Sequence, residues 1–293
     1  WALTQGGSVI ANHQVSASGR YIVPDGAVLR SPSNKEGTSG DSYLQQPFGG
    51  AELVLRTGGN LYLQSTGKGD GDAAKVEDSG ANLVKVPNLI AEGGTILHAT
   101  SGYRKRLEGA IEVRSAGLVV KQNNSGSNQE RSLTIASTIT GSGPIILASA
   151  TVDSAAQYLR FTGDMSGFTG TFQIDSATAG HLKNEDFRIT GAFGGTITAL
   201  PEGFTSVEIN YSGLDAEKGL RVASTTIPTA LKTKLTLFGE ADFTAANLPL
   251  MTFPAGTTVD PAAFTVKYAP TVDGTGVAFE NLGTIENDDG SIT

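Results

Sequence analysis

The sequence predicts an all-β fold, arranged as a β-solenoid with irregular loops and a C-terminal cap region. Glycine contributes 38 of the 293 residues, about twice its usual share, and charged residues reach only 17% of the chain. Short segments alternate apolar and polar residues between turn signals, and no stretch of useful length has apolar residues at helical spacing. A unit of about 25 residues returns to the same pattern, which is the length of one solenoid coil.

The repeat is clearest between residues 133 and 200. Leu159–Gly163 reappears 28 positions later as Phe187–Gly191. Gly167–Phe172 reappears 25 positions later as Ala192–Ile197. Each unit therefore holds two short strands joined by glycine or serine turns. A Greek-key sandwich has no reason to repeat its sequence at this period, so the repeat favours stacked coils over a sandwich.

Stacking partners follow from the repeat. An earlier copy places Leu133 26 positions before Leu159 and Gly143 27 positions before Gly170. Equivalent strands of successive units must stack, because a lone coil cannot bury its apolar side chains. The expected stacked positions are Phe168 with Phe193 and Phe172 with Ile197. The same two-strand pattern recurs in Leu53–Leu55 with Leu61–Leu63, Ile111–Val113 with Leu118–Val120, Val207–Ile209, Leu220–Val222 and Leu235–Leu237.

Composition divides the chain into a body and an end region. Residues 1–240 are predicted to form the solenoid body, with polar, glycine-rich loops near residues 31–50 and 64–82. Residues 241–293 depart from the repeat, and their first part contains prolines that suit edge strands or irregular segments. Because the open end of a stack of strands is a template for further pairing, a cap is expected there, continuous with the body. The prolines are Pro249, Pro254 and Pro261.

Two strings in the repeat carry a family resemblance. They are Ile139-Thr140-Gly141-Ser142-Gly143 and Gly163-Asp164-Met165-Ser166-Gly167-Phe168-Thr169-Gly170-Thr171-Phe172. Together they resemble the autotransporter-associated β-strand repeat of passenger domains and large bacterial surface proteins. The resemblance covers about residues 108–200 and implies a right-handed parallel β-helix. It implies no catalytic residues, because members of the family serve as adhesins, stalks and scaffolds.

Composition also restricts the setting and the partners. The chain has no cysteine, which excludes disulfides and thiolate metal sites and suits the surface of a Gram-negative-type bacterium. We therefore expect an extracellular or outer-surface location, reached after removal of an export signal. The net charge of −8 argues against nucleic acid, and no apolar run is long enough for membrane insertion. The one basic cluster, Arg104–Arg106, is expected to be a solvated loop.

Candidate catalytic residues are sparse, which predicts that the chain is not an enzyme. The three histidines, His13, His98 and His181, are far apart in the sequence and in unrelated contexts, and no catalytic motif appears in its required context. The clearest coils, residues 132–180, carry few charged groups: Asp153, Arg160, Asp164 and Asp175. A polysaccharide-degrading β-helix enzyme, either a lyase or a glycoside hydrolase, stays open as an alternative because an inverting glycosidase needs only two carboxylates.

Acidic and aromatic clusters provide the remaining candidate ligand sites. Asp70 and Asp72 lie on a glycine-rich loop near Glu77 and could bind calcium, but a solvated loop explains them as well, and no other cofactor is expected. Residues 287–290 are explained by turn chemistry. A sugar-binding module is a further alternative, although the phenylalanines that would form its platform fall at equivalent repeat positions and are expected in the core. They are Phe168, Phe172, Phe187 and Phe193.

These observations predict a non-enzymatic extracellular structural or adhesive protein. Its partners would be a cell-surface or glycan ligand and further copies of itself, joined end to end by strand pairing into a fibre or filament. Residues 290–293 resemble residues 195–198, so the given sequence stops on a strand-like segment. Deleting residues 284–293 should leave a folded monomer that no longer polymerises. The alternative is that the termini are capped within one subunit. The candidate assembly residues are Trp1, Leu3, Val9, Ile10, Ser291, Ile292 and Thr293.

Overall fold

The computed structural model of the chain confirms the all-β class. It describes residues 1, 15–31, 47–63, 83–98, 105–122, 133–149, 158–175, 186–189, 195–197, 206–210, 219–223, 234–238, 249–261, 265–269, 277–278 and 283–293. Within these ranges there are 21 strands and no α-helix.

The strands are short and follow one another closely along the chain. The first eleven are β1 Arg20–Val23, β2 Val28–Arg30, β3 Glu52–Arg56, β4 Asn60–Leu63, β5 Leu83–Glu92, β6 Thr95–His98, β7 Lys105–Val113, β8 Leu118–Gln122, β9 Leu133–Ile135, β10 Thr138–Gly141 and β11 Ile145–Ser149. The remaining ten are β12 Tyr158–Phe161, β13 Thr171–Ile174, β14 Asp186–Ile189, β15 Thr196–Ile197, β16 Ser206–Asn210, β17 Leu220–Arg221, β18 Lys234–Phe238, β19 Met251–Thr252, β20 Thr265–Ala269 and β21 Val277–Ala278.

Two large parallel sheets share these strands. The long sheet has 12 strands in the order β1-β3-β5-β7-β9-β12-β14-β16-β18-β20-β21, with β10 also paired to β7. The short sheet has seven strands in the order β15-β13-β11-β8-β6-β4-β2, and a separate parallel pair joins β17 to β19. From β1 to β8 the chain therefore alternates between the two sheets. Among the described strand pairs, β20–β21 alone is antiparallel.

Strand register follows the sequence repeat. Leu159 pairs with Leu133 on one side and with Phe187 on the other, and both pairings are parallel. In the short sheet Phe172 lies between Ile145 and Ile197. The predicted stacking of Phe172 on Ile197 is thus confirmed, whereas Phe193 lies outside the described residues.

The core consists of apolar side chains that stack in register between neighbouring strands. In the short sheet, Leu61, Ile96 and Val120 occupy equivalent positions of β4, β6 and β8, and each is fully buried. Phe161 of the long sheet meets Phe172 of the short sheet edge to face, with ring centroids 4.9 Å apart. Phe168 is also fully buried, so the prediction that Phe168 and Phe172 belong to the core is confirmed. For Phe187 and Phe193 the side chains lie outside the described residues.

The pairing of β5 with β7 in the long sheet contains an irregularity. The register between these strands shifts between Val86 and Asn88, at Pro87. Gly109 has φ +125°, and a Cβ there would overlap the carbonyl oxygen of Val86. Beyond this irregularity the two halves of β7 have different neighbours, because β9 pairs with its first half and β10 with its second half.

The basic cluster at residues 104–106 is not a solvated loop where the structure describes it. Lys105 begins β7 and is 2% exposed, and its alternation with Leu107 places it on the core side of the strand. Arg106 points to the other side, where its Nε lies 3.0 Å from Oε1 of Glu108. The expectation was wrong for these two residues because a long aliphatic stem allows a lysine to occupy an apolar strand position. Arg104 lies outside the described residues.

The connections from the long sheet to the short sheet differ in length from those that lead back. From β1 to β8, the turns that lead from the long sheet to the short sheet contain two to four residues. Backbone hydrogen bonds stack these turns, as from Asn60 N–H to Ala27 O and from Thr95 N–H to Gly59 O, both 2.9 Å. The connections that lead from the short sheet back to the long sheet contain six to 21 residues.

Candidate functional site

A ladder of ion pairs crosses the outer face of the long sheet. Strand pairing places Arg56 of β3 beside Glu92 of β5, and Arg114 follows β7 directly. Arg114 Nη1 lies 2.6 Å from Glu92 Oε1, and Arg114 Nε lies 2.9 Å from Glu112 Oε1. Arg56 Nε lies 3.6 Å from Glu92 Oε2. Charges of alternating sign thus connect three successive strands.

The ladder is electrostatically self-contained. Hydrogen bonds from Arg114 to Glu112 and to Glu92 raise the pKa of the Arg114 guanidinium above its ordinary value. Both carboxylates are therefore engaged by the same permanent cation. A glycosidase needs two carboxyl groups that face a sugar and a water molecule, whereas here both carboxylates face the Arg114 guanidinium. This arrangement is typical of ion pairs that link neighbouring strands at a protein surface.

Sequence reasoning missed this ladder, although a signal was present. Arg56, Glu92 and Arg114 occupy equivalent positions where the long sheet leads into a short glycine-containing turn. Their equivalence appears once the segments 56–59, 92–94 and 114–117 are aligned. The equivalence of these three positions is not visible as a residue repeat, because they alternate between arginine and glutamate.

An apolar column lies beside the ladder on the same outer face. Ile22, Val54 and Ile90 are in register on β1, β3 and β5. Val54 alternates with the core residues Leu53 and Leu55, so it points outward, yet it is fully buried. The column ends at Ile22 of β1, which is 45% exposed. Arg20 and Glu52, whose charged atoms are 2.6 Å apart, flank the column on the side opposite to the ladder.

The predicted assembly residues at the end of the chain form a hairpin, named here the C-terminal hairpin, residues 283–293. Ile285 and Thr293 exchange two backbone hydrogen bonds of 2.9 Å. Ile292 bonds to Phe253 instead, through Phe253 N–H to Ile292 O at 2.7 Å and Ile292 N–H to Phe253 O at 3.0 Å. The arm 291–293 therefore lies between Phe253 and the arm 284–287 and is paired on both edges within the chain.

Side chains hold the turn of this hairpin. The side-chain amide of Asn287 donates to Ser291 Oγ at 2.9 Å and to Thr293 Oγ1 at 2.8 Å. Asp289 Oδ1 accepts the Ser291 N–H at 2.9 Å, and Gly290 adopts φ +76°. The expectation that residues 287–290 are explained by turn chemistry is confirmed.

Among the predicted assembly residues at the start of the chain, the structure describes only Trp1. Its ring meets Phe48 edge to face, with centroids 5.4 Å apart, and Phe48 meets Tyr21 in the same way at 5.5 Å. Trp1 thus packs within its own chain. Leu3, Val9 and Ile10 lie outside the described residues, so their assembly role stays a prediction.

Metal and histidine sites gain no support in the described part of the chain. No group of three His, Asp or Glu side chains there could hold a metal ion. Asp70 and Asp72 lie outside the described residues, as do His13 and His181. His98 is fully buried in β6, in register with the core residue Leu63. No helix among the described residues is long and apolar enough to cross a membrane.

Asp164 has a structural explanation. Its Oδ1 accepts the backbone N–H of Ser166 at 2.9 Å, and this bond lowers the pKa of the carboxyl below its ordinary value. The residue therefore closes a local turn between β12 and β13 in the manner of an Asx turn.

Comparison with protein-family models, with curated proteins and with solved structures finds no match to this chain.

Proposed function

We propose that the chain is a non-enzymatic structural or adhesive surface protein, and that its body is a right-handed parallel β-helix. The observation that carries this proposal is the regular pairing of each strand with the equivalent strand one repeat later. Ten parallel strands, from β1 to β20, follow one another in the long sheet in this way. Parallel neighbours of this kind, with no α-helix among the residues that the structure describes, favour a solenoid over the layered α/β folds in which parallel sheets usually occur.

The chemistry of the described surface supports a structural role over catalysis. The outer charges of Arg56, Glu92, Arg114 and Glu112 neutralise one another across three strands. Inside, apolar side chains form continuous columns. Both features connect neighbouring repeats, and such connections favour a stiff body that resists proteolysis. The resemblance of residues 139–172 to the autotransporter-associated repeat supports the same role and an extracellular location on a Gram-negative-type bacterium.

Solution scattering tests the proposed shape. Ten coils with a strand spacing of about 4.8 Å give a body about 50 Å long, with a cross-section set by two or three short strands. We expect the measured distance distribution of the monomer to be that of an elongated body of this length. A spherical distribution would contradict the β-helix and with it the proposed function.

Activity assays test the alternative of a polysaccharide-degrading enzyme. We expect no release of reducing ends or unsaturated products from pectin, alginate or glycosaminoglycans. Variants Glu92→Gln and Glu112→Gln provide the matched comparison, because both carboxylates pair with Arg114. Reproducible turnover that both substitutions abolish would replace the structural proposal with the enzymatic one.

A glycan array probed with the labelled native chain distinguishes an adhesive from a purely structural role. Specific binding to a glycan would indicate adhesion, and its absence would favour a purely structural role.

A further inference from the structure

The short-sheet side of the molecule ends in a strand edge that the chain itself covers. The separate pair β17–β19 lies beside β15 at the end of the short sheet, where the Arg221 side chain donates to Gly195 O at 3.2 Å. The strand edge of β19 then continues to Phe253, whose backbone N–H and C=O both bond to Ile292. This contact is antiparallel, unlike the parallel pairs that precede it. The C-terminal hairpin therefore occupies the position at which the next parallel strand would lie.

The C-terminal hairpin contacts this edge through its last residues. Two backbone bonds join Phe253 to Ile292, and Thr252 Oγ1 lies 2.9 Å from Thr293 Oγ1. Residues 283–286 are exposed, with Ile285 at 50%, and Ile292 is only half-buried. Segments with few buried apolar contacts open at a small fraction of the global unfolding free energy. The hairpin is thus the part of this edge that separates most readily.

The outer arm of the hairpin is a poor acceptor for a further strand. Because Ile285 bonds to Thr293 and Ile292 bonds to Phe253, the backbone groups of Glu286 point away from the hairpin. Glu286, Asp288 and Asp289 are all exposed at this arm and its turn. Charged side chains on an edge strand oppose pairing with another molecule. With the hairpin in place, this end of the sheet is closed.

The opposite end of the short sheet offers a complementary edge. Leu29 and the flanking Ala27 O and Ser31 N–H face β4, so the backbone groups of Val28 point away from it. They meet none of the described residues. A second copy placed with this edge against β19 would extend the array of strands from one molecule into the next.

We propose that the C-terminal hairpin is an autoinhibitory cap on the edge of β19, and that its displacement lets this edge pair with β2 of a second copy. The contact is heterologous and therefore propagates head to tail. This inference rests on the proposed structural function and concerns how that body assembles. It reverses the sequence-based expectation, in which Ser291–Thr293 forms the junction itself and its loss prevents polymerisation.

A disulfide lock provides the first test in the full chain. The native chain has no cysteine, and Thr252 and Thr293 are directly opposite each other at a non-hydrogen-bonded position of the antiparallel pair. In the double variant Thr252→Cys/Thr293→Cys, we expect the oxidised form to stay monomeric at every concentration in analytical ultracentrifugation. Reduction should restore the concentration-dependent oligomers of the native chain. Oxidised protein that assembles as readily as reduced protein would overturn the proposal.

Proline substitutions provide the second test. Ile292→Pro removes the N–H that bonds to Phe253, so the cap should open and half-assembly should occur at a concentration about tenfold lower than in the native chain. Glu286→Pro is the matched control, because its N–H faces outward and its loss leaves the Phe253 contact intact. A monomeric Ile292→Pro variant would overturn the cap.

The partner edge is tested by combining variants. Val28→Pro removes an outward-facing N–H from β2 without affecting its pairing to β4. In an Ile292→Pro background, it should abolish assembly. Oligomers that persist, or a dimer that does not grow further, would overturn pairing with β2 and indicate reciprocal exchange of hairpins instead. Solution scattering on the same monomers distinguishes failure of the cap proposal from failure of the proposed function. An elongated monomer that never assembles would contradict the cap and leave the proposed structural function unaffected.

Discussion

At the scale of single residues, the inward or outward direction of a side chain decides its importance. Ile145 and Leu147 of β11 point into the core, whereas Ile146 between them faces outward and is half-buried. Ile145 lies in register with Leu118 and Phe172 in the neighbouring strands. A cavity at this position would therefore interrupt a continuous column. The two adjacent isoleucines offer a comparison in which the residue type and the strand are constant.

Ile145→Ala should lower the free energy of unfolding by about 2–5 kcal/mol, because it removes buried methyl and methylene groups and leaves a cavity. Ile146→Ala, the matched control, should cost about 1 kcal/mol or less. Phe172→Ala should resemble Ile145→Ala. Urea denaturation followed by circular dichroism measures the difference. Equal losses for the two isoleucine variants would contradict the assigned faces of β11.

The carboxyl of Asp164 should titrate below its ordinary value. Its pKa is lowered from 3.8 because the ionised form accepts the Ser166 N–H. The bond is therefore fully present above pH 3.8 and is lost as the pH falls through the lower folded-state value. The amide proton of Ser166 should report this transition by NMR, and Asp164→Asn should remove it. A midpoint at or above 3.8 would exclude the bond as a significant stabilising contact.

At the scale of elements, the sequence predicts repeated contacts well and unique contacts poorly. The 28-residue offset between Leu159 and Phe187 predicts the register of β12 and β14 correctly, because stacking partners must have similar side chains. The pairing of Phe253 with Ile292 has no counterpart in the repeat, so no periodic signal could reveal it. The charge of Lys105 suggests a loop residue, but its alternation with Leu107 places it on the core side of β7.

The irregular pairing of β5 with β7 includes one glycine at a positive φ. Gly109→Ala should destabilise the chain by about 1–3 kcal/mol or more, because φ +125° strains an alanine and its Cβ would meet the Val86 carbonyl. Gly283→Ala is the control, since a Cβ there meets nothing within 4 Å. Thermal denaturation should rank the two variants in this order. An unchanged melting temperature for Gly109→Ala would show that the strand accommodates a side chain at this position.

At the scale of the whole molecule, the stacked turns and the return connections differ in how well they tolerate insertions. The stacked turns between the long and short sheets have two to four residues and bond to one another through their backbones. The return connections are longer and vary in length. An added segment in a stacked turn would separate two backbone hydrogen bonds. An added segment in a return connection costs only the small entropy of a longer loop.

An insertion of Gly-Ser-Gly-Ser tests this difference. Placed after Thr57, it should disrupt the hydrogen bonds of the adjoining turns and lower the melting temperature markedly. Placed after Lys68, within the polar segment predicted as a loop, it should change the free energy of unfolding by roughly 0.5 kcal/mol. Equal effects at the two positions would show that the stacked turns contribute little to stability.

The unequal connections have a consequence for how such a chain can change over evolution. A duplication that begins and ends within the long return connections adds a whole repeat and leaves every stacked turn and every strand register intact. An insertion in the same connections also leaves those turns and registers unchanged. The number of repeats and the length of the return connections are therefore independent quantities, and selection can alter either one without rebuilding the core.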